Sequence, residues 1–164
     1  EAQGWRWPWS IGYASQRDTG TNPVDYSADF LRTELGVGRG PVTLRIGRET
    51  LEGDAALANR RFQIPLATLH AFQGWADKFL ITPPQGIEDS YVMLEASHAG
   101  FTGQLRRHDF RAEAVSRRYG TEWDASLSRK FGKHWELLAK YADYEASGFA
   151  TDTRKLWFMV TASY

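Results

Sequence analysis

Hydrophobic and polar residues alternate along most of this chain. Trp5, Trp7, Trp9, Ile11 and Tyr13 are interleaved with Arg6, Pro8, Ser10, Gly12 and Ala14. Successive side chains of a strand point to opposite faces, so a period of two predicts a strand. Pro8 is tolerable there near an edge or seam. Polar "QRDTGTNPVD" predicts a loop. Leu31, Thr33, Leu35 and Val37 then alternate with Arg32, Glu34 and Gly36, and "GRGP" predicts a tight turn. Val42, Leu44 and Ile46 alternate with Thr43, Arg45 and Gly47, continuing to about Leu51. Four further strands follow. They begin near Tyr91, Phe101, Glu122 and Trp135, with tight turns at "HAG" and "FGKH". The last strand is "RKLWFMVTASY", which places Leu156, Phe158, Val160, Ala162 and Tyr164 on one face.

The expectation is eight strands of roughly 9–12 residues, the length a tilted strand needs to cross a bilayer. Three tight turns alternate with four longer polar connections. That segregation fits an outer-membrane barrel, with short turns on one side and long loops on the other. One strand face carries Leu, Val, Ile, Ala and Trp; the other carries Arg, Glu, Asp, Lys, Ser and Thr. The predicted fold is therefore all-β: an antiparallel up-and-down transmembrane β-barrel of eight strands, one domain over 1–164. Its first strand, near 5–16, is expected to pair with its last, near 154–164. Leu44, Ile46, Leu127, Leu137, Phe158 and Val160 should face lipid, and Arg45, Glu122, Asp124 and Lys140 the lumen. The interruption over 52–88 is too long for an idle loop. Leu66, Leu69, Phe72, Ala76 and Phe79 recur at helical spacing after Pro65. This predicts a short helix or a folded excursion that caps the barrel mouth or dips inside, although Gly74 weakens a helix.

Composition narrows the function. Lys plus Arg equals Asp plus Glu at 20 each, which argues against a nucleic-acid partner reached through a basic surface. The absence of cysteine excludes disulfides, a thiol nucleophile and thiolate metal sites. No run of about 18 apolar residues predicts a spanning helix, a criterion barrel strands do not have to meet. Seven Trp, seven Tyr and nine Phe suit interfacial belts. Trp5, Trp7, Trp9, Trp123, Trp135, Tyr141 and Tyr164 are expected there, with sugar stacking as the rival role. The chain opens at Glu1, as a processed mature chain or an excised piece does.

Several stretches resemble the bacterial alginate export family of outer-membrane proteins: "NPVDYSADF" (22–30), "PLATLHAFQGWADKFL" (65–80), "GIEDSY" (86–91), "HDFRAE" (108–113) and "LLAKYADYEASGFATDTRKLW" (137–157). The resemblance is to the C-terminal part of that family, whose members are much larger single-chain barrels. It implies an outer-membrane location and a porin-like role in passing a polysaccharide or related anionic solutes. An eight-stranded barrel is just wide enough for side chains to fill it. The alternatives are thus a piece of a wider barrel, an assembly of chains, or a small closed structural barrel without transport.

Candidate lumen residues are Arg32, Arg45, Glu49, Arg106, His108, Glu122, Asp124, Lys140 and Lys155. In a wide channel the cations would attract and release an anionic chain. In a closed barrel the same groups would pair with one another. His70 and Trp75 are the candidates for ligand contact within the excursion, with packing as the competing role. An outer-membrane lipid-modifying enzyme is the rival class. His108 is its only plausible base, and no serine motif accompanies it. Glu145 and Asp152 are read as solvated, with no metal and no cofactor. Expected partners are outer-membrane lipid and lipopolysaccharide, the outer-membrane assembly machinery and an anionic polysaccharide. Tyr164, behind alternating apolar residues, resembles the C-terminal signal that the assembly machinery reads.

Overall fold

The computed structural model describes residues 4–64 and 73–164. They form an all-β antiparallel sheet of nine strands: β1 (Trp5–Arg6), β2 (Trp9–Arg17), β3 (Ser27–Arg39), β4 (Val42–Leu51), β5 (Ile87–His98), β6 (Phe101–Arg111), β7 (Arg118–Phe131), β8 (Trp135–Ala146) and β9 (Thr153–Ala162). The ninth strand arises because Pro8 splits the expected first one. Pro8 has no N–H to donate. Its carbonyl still accepts from the Gly36 N–H at 2.8 Å, so β1 and β2 both continue along β3. From β3 to β9 each strand pairs with the next in sequence.

The sheet does not close. The expected pairing of the first strand with the last is absent, and β2 and β9 are both edges. Residues 52–64 and 73–86 return across the concave face and bury Phe62, Trp75, Ala76 and Phe79 against Leu51, Ile87, Phe110, Tyr119 and Tyr144. Phe79 is the hub, its ring 4.7 Å from Phe110 and 5.2 Å from Phe149. No helix occurs among the described residues. Ala76 and Phe79, from the expected helical pattern, lie in irregular backbone, while Leu66, Leu69 and Phe72 lie outside the described residues. The entry to the excursion is pinned locally. Asp54 Oδ1 accepts the Ala56 and Leu57 N–H groups at 2.7 and 2.9 Å, which holds this carboxyl below the usual carboxylate range. Farther on, Gln16 of β2 exchanges two hydrogen bonds with the Gln63 backbone.

The register sorts the faces by period two. Leu44, Ile46, Leu127, Leu137, Phe158 and Val160 lie exposed on the convex face, whereas Glu122 and Asp124 are fully buried on the concave one. A register shift between Phe110 and Arg111 inserts Tyr119 as an extra residue that turns inward, its hydroxyl donating to the Gly86 carbonyl at 3.0 Å.

The convex apolar band does not follow the hydrogen-bonded rows. On β2 its loop-side limit is Tyr13, which pairs with Leu31. On β9 the limit is Leu156, whose row passes through Tyr141, Ala125, Leu105, Leu94 and Leu44 to Val37. On β3 the two rows are therefore six residues apart, 37 against 31. Between β2 and β9 lie seven strand-to-strand steps, so the band slips by nearly one residue per strand.

Candidate functional site on the concave face

Period two along β3–β9 brings the predicted lumen residues to one face, and residues 73–86 divide them into two groups. We call this segment the strap. Its anchor is a bend at Gly74. Gly74 has φ +80, and a Cβ built there would lie 2.5 Å from Glu122 Oε2. Only glycine fits that approach without strain. The bend aims two N–H groups at one carboxyl: Trp75 and Ala76 donate to Glu122 Oε1 at 2.6 and 2.7 Å. Trp75 N–H also reaches Asp124 Oδ2 at 3.2 Å. On either side, Gln73 donates to Glu49, and Lys155 Nζ pairs with Asp77 Oδ2 at 2.7 Å. Lys140 Nζ sits 3.9 Å above the Trp75 ring.

Beneath the strap, His108 is fully buried. Its Nδ1 lies 2.8 and 2.9 Å from the two Asp89 oxygens, and its Nε2 faces Asp124 Oδ2 at 3.5 Å. A catalytic base needs a hydroxyl or water to activate. Among the described residues both ring nitrogens face carboxyl groups instead. The cluster under the strap thus comprises Glu49, His108, Glu122, Asp124, Lys140 and Lys155, with Trp75 buried in it. His70 lies outside the described residues.

The second group lies turnward of the strap. Arg45 bridges Glu34 and Glu95 at 3.0 Å each, and Arg32 approaches Glu34 at 3.6 Å. Tyr91 donates to Glu34 at 2.7 Å, over Gly47, where a side chain would overlap the tyrosine ring. Arg106 stacks 5.0 Å from the Tyr91 ring, and its buried Nε has no partner among the described residues. Farther toward the turns the concave face is rich in hydroxyl and amide groups, with Thr43, Ser97, Thr102, Gln104, Ser126 and Ser128 standing among the charged Arg6, Glu95, Lys130 and Glu136. Chemically, the face offers a packed, carboxyl-anchored plug on the loop side and a hydroxyl-lined wall on the turn side. Between them stand Arg106 and Lys140, held on aromatic faces rather than by a carboxylate among the described residues.

Asp89, Gly74 and Asp77 were missed as site residues. Asp89 was within reach, since the period of two through Tyr91 and Met93 extends back to it. Gly74 and Asp77 belong to no periodic element, so no sequence pattern marks where they dock. No protein-family model, no curated protein and no solved structure matches the chain.

Proposed function

We propose that this sheet is part of the wall of an outer-membrane β-barrel of the alginate-export kind. The barrel is wider than eight strands, and its concave face guides hydrated anionic solutes, a polysaccharide among them, past the strap. The slip of the convex apolar band carries this reading. A membrane forces the apolar band of a barrel to lie level, so the slip of the band against the rows measures strand tilt. Six residues over seven steps, at about 3.3 Å per residue and about 4.8 Å between strands, correspond to a tilt of about 30°. Transmembrane barrels tilt by about 35–45°. A soluble sandwich has no level plane that an exposed apolar band must respect.

Width follows from the strap. Eight strands enclose only enough space for their own side chains. Here Phe62, Trp75 and Phe79 of the excursion also occupy the concave side. Further strands pairing with the free edges of β2 and β9 complete the wall. The stretches resembling the alginate export family support the same reading, and the hydroxyl-lined turn half is compatible with a wetted path. No catalytic step is proposed.

Planar-bilayer recording tests the proposal. The expected result is stepwise conductance that favours anions, with the preference reduced by the double change Arg106→Gln and Lys140→Gln. Absence of conductance from protein inserted in the bilayer would favour a sealed structural barrel, and a cation preference would remove the anionic solute.

A further inference from the structure

The chain's net charge of zero conceals a polarity along the strand axis. Within three residues of the hairpin centres at 40–41, 99–100 and 132–133 stand Arg39, Arg129, Lys130 and Lys133 against one carboxylate, Glu136. Arg6, opposite Gly38, adds a fifth cation. The connections at the other end, 18–26, 52–86, 112–117 and 147–152, hold seven carboxylates against four cations.

The turn-end arginines are also held differently. Arg129 lies on the convex face with its guanidinium 4.5 Å from the Phe101 ring and 4.9 Å from the Phe131 ring. Arg39 lies 5.2 Å from the Trp5 ring. Among the described residues neither has a carboxylate within ion-pair distance. At the loop end Arg48 pairs with Glu88, Arg118 with Asp109 at 2.5 Å, and Arg154 with Asp143 at 3.1 Å. An arginine whose stem lies on aromatic surface and whose fork is unclaimed suits an interface, because its planar donors match a phosphate bidentately.

Resting on the reading of a bilayer-spanning wall, we propose that the turn end docks anionic glycerophospholipid headgroups through Arg39 and Arg129, with Lys133 at the hairpin tip. Charge complementarity argues for this occupant. An anionic leaflet attracts each nearby Arg or Lys, the attraction is lost within a Debye length, and salt removes it. The headgroup phosphate sits at the level where the aromatic rings end, and short turns lie on the periplasmic side of outer-membrane barrels. The inference thus names both the lipid and the leaflet.

The test is insertion of the unfolded full chain into vesicles at low salt. One set is neutral phosphatidylcholine; the other contains one third phosphatidylglycerol. Protected, heat-modifiable protein is followed with time. Insertion should be faster into the anionic vesicles, and 0.5 M salt should erase the difference. Each turn-end cation should contribute about fivefold, so Arg39→Gln with Arg129→Gln should lose about twenty-five-fold of the enhancement. Lys133→Gln, on an exposed turn, should lose part of it without affecting folding. Arg17→Gln at the loop end should lose none. Equal insertion into both vesicles, or an equal loss from Arg17→Gln, overturns the proposal alone. Failure to insert into either overturns the bilayer reading and this proposal together.

Discussion

Gly74→Ala isolates the contact that holds the strap on the wall. Alanine at φ +80 costs about 1–2 kcal/mol in backbone strain. Its Cβ would lie 2.5 Å from Glu122 Oε2, so either the carboxyl or the bend must shift. A shift strains the hydrogen bonds from Trp75 and Ala76 to Oε1, now 2.6 and 2.7 Å. Each buried N–H that loses its acceptor costs about 1–3 kcal/mol. Strain plus one lost acceptor amounts to about 3 kcal/mol. Because the strap is held by the wall's side chains and not by strand pairing, while the wall holds itself by strand pairing, this cost falls on local opening of the strap. Hydrogen exchange of the folded protein in detergent reads it directly. The Trp75 and Ala76 amides should exchange about two orders of magnitude faster, while β6 amides should keep their protection. Gly103→Ala is the control, since its Cβ would meet nothing closer than 3.7 Å. Unchanged protection at Trp75 and Ala76, or the same loss in the Gly103 variant, would refute the reasoning.

His108→Leu leaves the buried carboxyls of Asp89 and Asp124 facing an apolar group, and should lower stability by about 3–5 kcal/mol in urea titration. A loss below about 1 kcal/mol would mean the ring does not hold them. Phe79→Ala removes the hub of the aromatic cluster and should cost about 3–5 kcal/mol by the same titration, whereas a neutral result would separate the strap from the core. Leu127→Arg, on the convex face, should impair folding into bilayers by about 2–4 kcal/mol, but Ser128→Arg, one residue on and opposite the uncharged Thr102 and Leu138, should be tolerated. Equal effects at the two positions would mean that lipid does not lie on the convex side.

The strands were legible because each reports its faces locally, one residue at a time. The three tight turns and the inward direction of Arg45, Glu122, Asp124 and Lys140 followed from the same alternation. Strand ends were harder. Expected starts near Tyr91 and Glu122 lie at Ile87 and Arg118, because the added strand residues carry Asp89 and the bulged Tyr119 rather than an apolar alternation. Closure was not legible at all. Whether β2 meets β9 depends on curvature and on what fills the concavity, and neither leaves a periodic trace. The strap was half legible: Phe79 and Trp75 announced burial, but the helical spacing of Ala76 and Phe79 did not foresee a bend built on carboxyl-to-backbone bonds. Those bonds join positions 46 and 47 residues apart, beyond any window of local pattern.

Membrane depth along the convex border tests the tilted wall most directly. Nitroxide labels at Tyr13 on β2 and Leu156 on β9, in protein reconstituted into bilayers, can be ranged by the accessibility of oxygen against a polar relaxant. The account predicts that both labels contact lipid at the same depth, on the loop-side border, although their rows cross β3 six residues apart. A depth difference of about 17 Å, six residues at about 3.3 Å each along a tilted strand, would show that the bilayer follows the rows and not the apolar band. Equal exposure of both labels to water would contradict the membrane itself.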